Sequence, residues 1–242
     1  MEPIANESMK ELKKLFSWFH AREAHLESPI SILVGGWAVY SYNRYWGSVD
    51  IDIITNSKTK RSLKYFLISR EGYETDPLTG NSVIKRTPNG EVVIDIANRE
   101  GDRFEGSPKK FDLGIIDGNT ETRTIEDQEV IVPSITILIM MKFKAAWDRR
   151  WRINNNKSQN PNHDRFKLIK DHSDIIALID SGEEFDIRQL GRFFSKYPFV
   201  TRVFDDILSS DSASEKYGIS MEEMDIFVNK LRSLVVDHTM NG

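Results

Sequence analysis

The chain of 242 residues contains no cysteine. Disulfides, zinc-thiolate sites, iron-sulfur clusters and cysteine nucleophiles are therefore excluded together, and any metal must be held by oxygen or histidine. The histidines, His20, His25, His163, His172 and His238, show no paired metal-ligand spacing, which leaves oxygen. No apolar run approaches the length of a membrane span. The opening MEPIANESMKELKK lacks the apolar core and cleavage site of a secretory signal, so a cytoplasmic location and no membrane partner are expected. There is no G-x-x-x-x-G-K-S/T and no G-x-G-x-x-G, so P-loop and dinucleotide-binding readings fail. No internal repeat is visible.

What is present is a globular composition, 39% hydrophobic and 29% charged, on a chain long enough for a substantial core. Its formal charge of -4 is unevenly spread. Residues 142–170 carry nine Lys/Arg against Asp148 and Asp164, a local +7 that leaves -11 elsewhere. Such a segment is a candidate phosphate-facing surface, or else a solvated run of helix faces and loops.

Ser8 and Glu11 have capping-box spacing before the stripe Met9, Leu12, Phe16 and Phe19, which predicts a helix opening at Ser8. After Pro29, ISILV reads as a buried strand, Gly35-Gly36 as a turn and WAVYSYNRY as a short helix. VDIDIIT predicts a second strand, with a helix near 59–69. SVIKRT and EVVIDIA, joined by Pro88-Asn89-Gly90, predict an antiparallel hairpin, and EDQEVIVP a last short strand. Residues 101–122 are polar and poorly patterned. Pro133-Ser134 then opens a long helix, and nearly everything beyond reads as helical, with a mobile Asn-rich loop at 153–163. The expected architecture is α/β (α+β). A mixed-sheet catalytic domain with an N-terminal packing helix spans residues 1–133, and a helical-bundle domain spans 134–242.

Two features carry chemistry. In VDIDI, strand alternation puts Asp50 and Asp52 on one face, about 7 Å apart, where two carboxylates repel unless a cation lies between them. Hard oxygen ligands on a rigid strand suit magnesium, whereas a wet strand face would simply leave both solvated. Asp95 lies alone on the polar face of EVVIDIA. Beside VDIDI it would complete a triad able to bridge two ions and accept a proton from an attacking hydroxyl. Gly35 and Gly36, between a strand and a helix start, are either an ordinary tight turn or a place where phosphate approaches backbone N–H groups. Further on, Ile135, Leu138, Lys142, Ala145 and Arg149 share a helix face, so Lys142 stands where the apolar stripe ends. It needs an anionic partner there, an aspartate or a nucleotide phosphate, unless its stem covers apolar surface while the amine reaches water. Lys144 lies on another face. Asp171 and Asp174 share a face as well, within reach of Lys142, Arg149 or Lys170.

Apolar-Gly-Gly, thirteen residues, Asp50-Ile51-Asp52 and a later strand Asp95 together resemble the DNA polymerase beta-like nucleotidyltransferase superfamily. MKFKAAWDR (141–149) and KDHSDIIAL (170–178) further resemble the abortive-infection (type IV toxin) nucleotidyltransferases. The resemblance covers about residues 30–180. It implies that Asp50, Asp52 and Asp95 are catalytic and hold two Mg2+, with Mn2+ as a substitute, and that Asp95 helps deprotonate the acceptor. It implies nucleotide contacts from Gly35, Gly36, Ser48, Lys142 and Arg149, with Arg44, Lys170 and Asp171 as further candidates. Arg44 stands two residues before Trp46, the position where many members carry arginine. The expected reaction is transfer of a nucleoside monophosphate from ATP, GTP or CTP to an acceptor hydroxyl. RNA, such as a tRNA end, is the expected acceptor, and an antitoxin protein a potential partner. Two rivals stand beside it: a small-molecule (antibiotic-type) nucleotidyltransferase, suggested by GGWAV, and a non-catalytic nucleotide- or antitoxin-binding module.

Overall fold

A computed structural model of the chain describes residues 2–23, 31–77, 80 and 82–240, the side chains of residues 23 and 236–240 excepted. Ile30 and His25 of the sequence reading lie outside these residues, as does the side chain of His238. The chain divides into two compact units, Met1–Gly101 with Asp112–Ser134, and Asp102–Phe111 with Ile135–Gly242.

The first unit opens with α1 (Pro3–Glu23). Its apolar stripe is buried, with Leu12, Leu15, Phe16 and Phe19 all at 1% exposure or less. Proline is well tolerated in a first turn, and the helix starts there rather than at Ser8. Ser8 is instead wholly buried and accepts the Trp37 indole N–H at 2.9 Å. Glu11, its supposed partner in a capping box, accepts the Tyr73 hydroxyl at 3.0 Å and pairs with Lys85 at 3.0 Å. The S-x-x-E spacing here marks one turn of a buried helix face. Burial alone would raise the Glu11 pKa, but hydrogen bonds from Lys14, Lys85 and Tyr73 outweigh it and lower it.

There follow β1 (Ser31–Val34), α2 (Gly35–Tyr42), β2 (Ile51–Thr55), α3 (Ser57–Arg70), β3 (Glu74–Thr75), β4 (Ser82–Thr87) and β5 (Gly90–Ala97). Asn56 caps α3 by accepting the Thr59 N–H at 2.8 Å. The strands form one sheet in the order β1-β2-β5-β4-β3. β2 and β5 are parallel and the other neighbours antiparallel, which makes the sheet mixed, as the pattern predicts. Ile51, Ile53, Val92, Ile94 and Ile96 are all buried, and this apolar set fixes which face of β2 and β5 turns inward.

The short pair β6 (Asp102–Arg103) and β7 (Lys110–Phe111) belongs to the second unit, whereas β8 (Thr120–Ile125) and β9 (Gln128–Pro133) form a hairpin in the first. β8 falls in the stretch that pattern leaves unassigned, because in TETRTI only Ile125 is buried.

The second unit is otherwise helical: α4 (Ile135–Asn154), α5 (Pro161–Ile179), α6 (Ile187–Lys196), α7 (Arg202–Leu208), α8 (Asp211–Tyr217) and α9 (Met221–Met240). The helices α4 and α5 extend into the Asn-rich stretch, with Asn160 capping α5 through the His163 N–H at 3.2 Å. Phe143 and Phe194 centre the packing, their rings 5.0 Å apart, with Phe204 4.8 Å from Phe143. The loop between β6 and β7 is pinned to α4, since the Trp147 indole donates to the Glu105 carbonyl at 3.1 Å and the Glu105 N–H donates to Asp148 at 2.9 Å. Among the described residues no helix is long and apolar enough to cross a membrane.

Candidate active site

One rung of the sheet holds Val34, Asp52, Asp95 and Ser82, paired in that order across β1, β2, β5 and β4. Directly paired residues on neighbouring strands lie about 5 Å apart and project to the same face. The backbone alone therefore sets the Asp52 and Asp95 carboxylates side by side, both half-buried, opposite the isoleucine face. Two like charges so placed repel, and a fold retains the arrangement only with something to offset it. Part of the offset is visible, because the Ser82 hydroxyl donates to Asp95 Oδ1.

Gly35 directly follows Val34 of this rung. Its φ of +68° lies in the left-handed region, and a Cβ there would overlap the Asp52 carboxylate. Two independent constraints thus require glycine at one position. The first turn of α2, with Gly36 buried as its second residue, consequently begins against that carboxylate. Helix N-termini are electropositive and present unpaired N–H groups, so the turn favours negative charge at this spot.

Asp50 is placed differently from the sequence expectation. β2 begins only at Ile51, so Asp50 lies in the bend before it, half-buried, and strand alternation does not set its direction. Ser48 is buried just upstream. Arg44 is exposed beyond the end of α2 and lines a cavity of about 480 Å³ with Tyr40, Tyr45 and Trp46.

Asp50, Asp52 and Asp95 offer hard oxygen donors only, which is the chemistry that suits Mg2+. The room left by Gly35 beside Asp52 and the Asp52–Asp95 rung fit a cation there. Among the described residues no group of three or more His, Asp or Glu side chains is gathered at metal-holding distance, so Asp50 would have to turn inward from its bend to complete the set.

In the second unit Lys142, Arg149, Lys170, Asp171 and Asp174 form one network, buried except at Arg149. Lys142 reaches Asp174 at 2.6 Å and Asp171 at 3.3 Å, Lys170 reaches Asp174 at 3.0 Å, and Arg149 pairs with Asp171. Asp174 is fully buried and Asp171 is 4% exposed. Burial pushes the Lys170 pKa down, with Lys142 adding to the fall against Asp174 and Asp171. The anionic partner that Lys142 requires is thus supplied within the unit. His172, between the aspartates in sequence, is also buried, and neither ring nitrogen finds a partner among the described residues. Burial lowers its pKa to about 4, opposed by Asp171 and aided by Arg150.

The basic run 142–170 is largely matched in the same way. Besides these pairs, Lys144 binds Asp148 at 2.5 Å, Arg150 binds Asp206 at 2.8 Å and Arg152 binds Asp164 at 3.1 Å. Lys144, expected on the surface, has a side chain only 14% exposed.

Ser82 is the site residue that sequence reasoning missed. A signal existed: with Pro88-Asn89 as the turn and Thr87 opposite Gly90, counting back along the hairpin puts Ser82 opposite Asp95.

No family model matches the chain, and no curated protein matches it. Among solved structures, an antigenic nucleotidyltransferase-like protein from Paracoccidioides brasiliensis is similar in chain trace, with 15% identity over 86% of this chain and 92% of that one and a TM-score of 0.49.

Proposed function

We propose that this chain is a metal-dependent nucleotidyltransferase, moving a nucleoside monophosphate from a nucleoside triphosphate to an acceptor hydroxyl on RNA. The observation that carries the reading is the rung itself: two carboxylates paired on adjacent parallel strands, with a glycine whose Cβ would overlap one of them. Structural strands rarely juxtapose like charges, and perturbing charge pairs of this kind cluster at functional sites. Asp50, Asp52 and Asp95 would hold Mg2+, which when bound supplies charge neutralisation at the phosphates and the attacking oxygen.

The chain's own residues do the rest. The Gly35-Gly36 turn leaves space for phosphate oxygens and directs N–H groups of α2 toward them. Asp95, oriented by the Ser82 hydroxyl, accepts the proton of the acceptor hydroxyl at its carboxylate. Ser48, buried ahead of Asp50, would offer a hydroxyl near the phosphates. Lys142, Arg149, Lys170 and Asp171 are not needed for this reading, since they pair with one another and with Asp174.

The test is incubation of the purified chain with each α-labelled nucleotide, Mg2+ and total RNA. Label should pass to RNA, and Asp52→Ala or Asp95→Ala should abolish transfer in a protein that keeps its helical circular dichroism. Full activity in either variant removes these residues from the chemistry. One observation favours a second reading, a module that binds nucleotide without turnover: three acidic groups are not gathered in the structure as it stands. Nucleotide binding that needs Mg2+ but yields no labelled product with any acceptor would select it.

A further inference from the structure

A groove of about 920 Å³ runs between α1 and α3, away from the rung and sharing no residue with it. Its walls carry Trp18 and Arg22 from α1, and Arg61, Tyr65, Phe66 and Arg70 from α3. Trp18 and Phe66 stack with centroids 5.5 Å apart, and the Arg22 guanidinium lies 3.9 Å above the Trp18 ring. Tyr65 is 73% exposed, an unusual degree for so large a ring. Along α3, Arg61 with Tyr65, and Phe66 with Arg70, are i,i+4 neighbours, so two cation–ring pairs stand on adjoining faces of the helix.

Three arginines line this groove beside one acid, Glu71. α3 carries Lys58, Lys60, Arg61, Lys64 and Arg70 and no acidic residue. Among the described residues Arg22, Arg61 and Arg70 form no ion pair, while Glu71, the acid at the rim, is engaged by Lys14 at 3.7 Å. Burial, and Lys64 beside it, hold the Lys60 ammonium below its ordinary range. The Trp18 indole N–H is buried and finds no acceptor among the described residues. Arg61 and Arg70 are separated by nine residues, about 13 Å along a helix axis and half a turn around it, which suits a ligand with spaced anionic groups better than one free phosphate.

We propose that the α1–α3 groove binds a single strand of RNA, its arginines tracking the phosphates and Tyr65 stacking on a base. Cations beside an exposed ring are what sequence-tolerant single-strand binding needs, because every base has a π-face and every linkage a charge. An acidic peptide would satisfy the arginines and leave the exposed ring unexplained. The choice of RNA rests on the acceptor proposed above; the groove's charge and stacking surface do not.

The experiment titrates the full chain with a fluorescein-labelled, mixed-sequence twelve-nucleotide RNA over a range of salt. Arg61→Gln with Arg70→Gln should weaken binding about tenfold or more and reduce the log–log salt slope by about 1.4, at roughly 0.7 per phosphate contact. Tyr65→Ala should weaken binding by about tenfold without changing the slope, as loss of stacking alone requires. Binding is read without Mg2+ or nucleotide, so failure of the catalytic reading would not disturb this result. Unchanged affinity in both groove variants overturns the proposal. So does displacement of the RNA by polyglutamate at equal charge with no effect of Tyr65→Ala, which would assign the groove to an acidic protein.

Discussion

Replacing Gly35 by alanine separates two costs that usually travel together. A Cβ in the left-handed region costs about 1–2 kcal/mol whatever surrounds it. At Gly35 the same Cβ also meets the Asp52 carboxylate, which must leave its place on the rung. Gly72 supplies the control, since its φ of +74° is equally left-handed and nothing lies within 4 Å of its notional Cβ. Gly72→Ala should therefore lose about 1–2 kcal/mol in urea unfolding and keep its nucleotidyl transfer. Gly35→Ala should lose the same amount plus about 1 kcal/mol for the side chain forced off its rotamer. Its transfer to RNA should drop on the order of 100-fold, the usual result of moving a reacting group by about 1 Å. Label transfer and urea titration on the two variants decide it. Equal stability losses, with Gly35→Ala retaining full activity, would refute the claim that this glycine exists to admit the carboxylate.

In the helical unit, Asp174→Ala leaves Lys142 and Lys170 buried against one remaining carboxylate, and should cost about 3–5 kcal/mol in urea unfolding; adding Lys170→Met should recover a good part, and a loss below about 1 kcal/mol would contradict the burial of the network. His172 titrates at about 4 in the fold against 6.5 when unfolded, so the unfolded chain binds the proton first. Its contribution is complete above pH 6.5 and lost as pH falls to 4, by about 3 kcal/mol at most. His172→Leu should flatten the stability profile across that window, and an unchanged profile would exclude the residue. Ser8→Ala leaves the buried Trp37 N–H without its acceptor and should cost about 1–3 kcal/mol. In a double-mutant cycle, Trp37→Phe should then cost less than it does in the unaltered chain; full additivity would show that the two residues do not interact.

The parts of the fold legible in the sequence are those where burial alternates with a period. EVVIDIA declared itself by this alternation, whereas ISILV did so by an unbroken apolar run whose residues 31–34 are all buried, and the pairing of β2 with β5 is consistent with burying two isoleucine faces together. β8 was invisible for the opposite reason, since an exposed strand of threonines and charges offers no contrast between its faces. Ser8 misled because a short polar side chain three residues before a glutamate has the same spacing in a cap and on a buried turn. The two are distinguished only by Trp37, twenty-nine residues away, which needs an acceptor. In the candidate site, Asp52 and Asp95 could be paired from pattern, but the reason for Gly35 could not, since it depends on the position of an atom across a strand pair.

Charge shows the same limit more sharply. Counting along residues 142–170 gives the strongest positive segment of the chain, yet at least six of its nine cations meet carboxylates brought from α5 and α7 and from their own helices. A run of sequence has a net charge, whereas a phosphate responds to the field that remains after such pairing. By that measure α3 matters more, although its five cations are fewer, because no acid shares the helix and the one at its end is engaged by Lys14. The surface on which an RNA would lie is therefore better sought where cations stand beside exposed rings than where they are most numerous. Salt titration of Arg61→Gln with Arg70→Gln against Arg150→Gln with Arg152→Gln puts the two rules in direct competition. The first pair should lower the salt slope, and the second should lower protein stability with the slope unchanged.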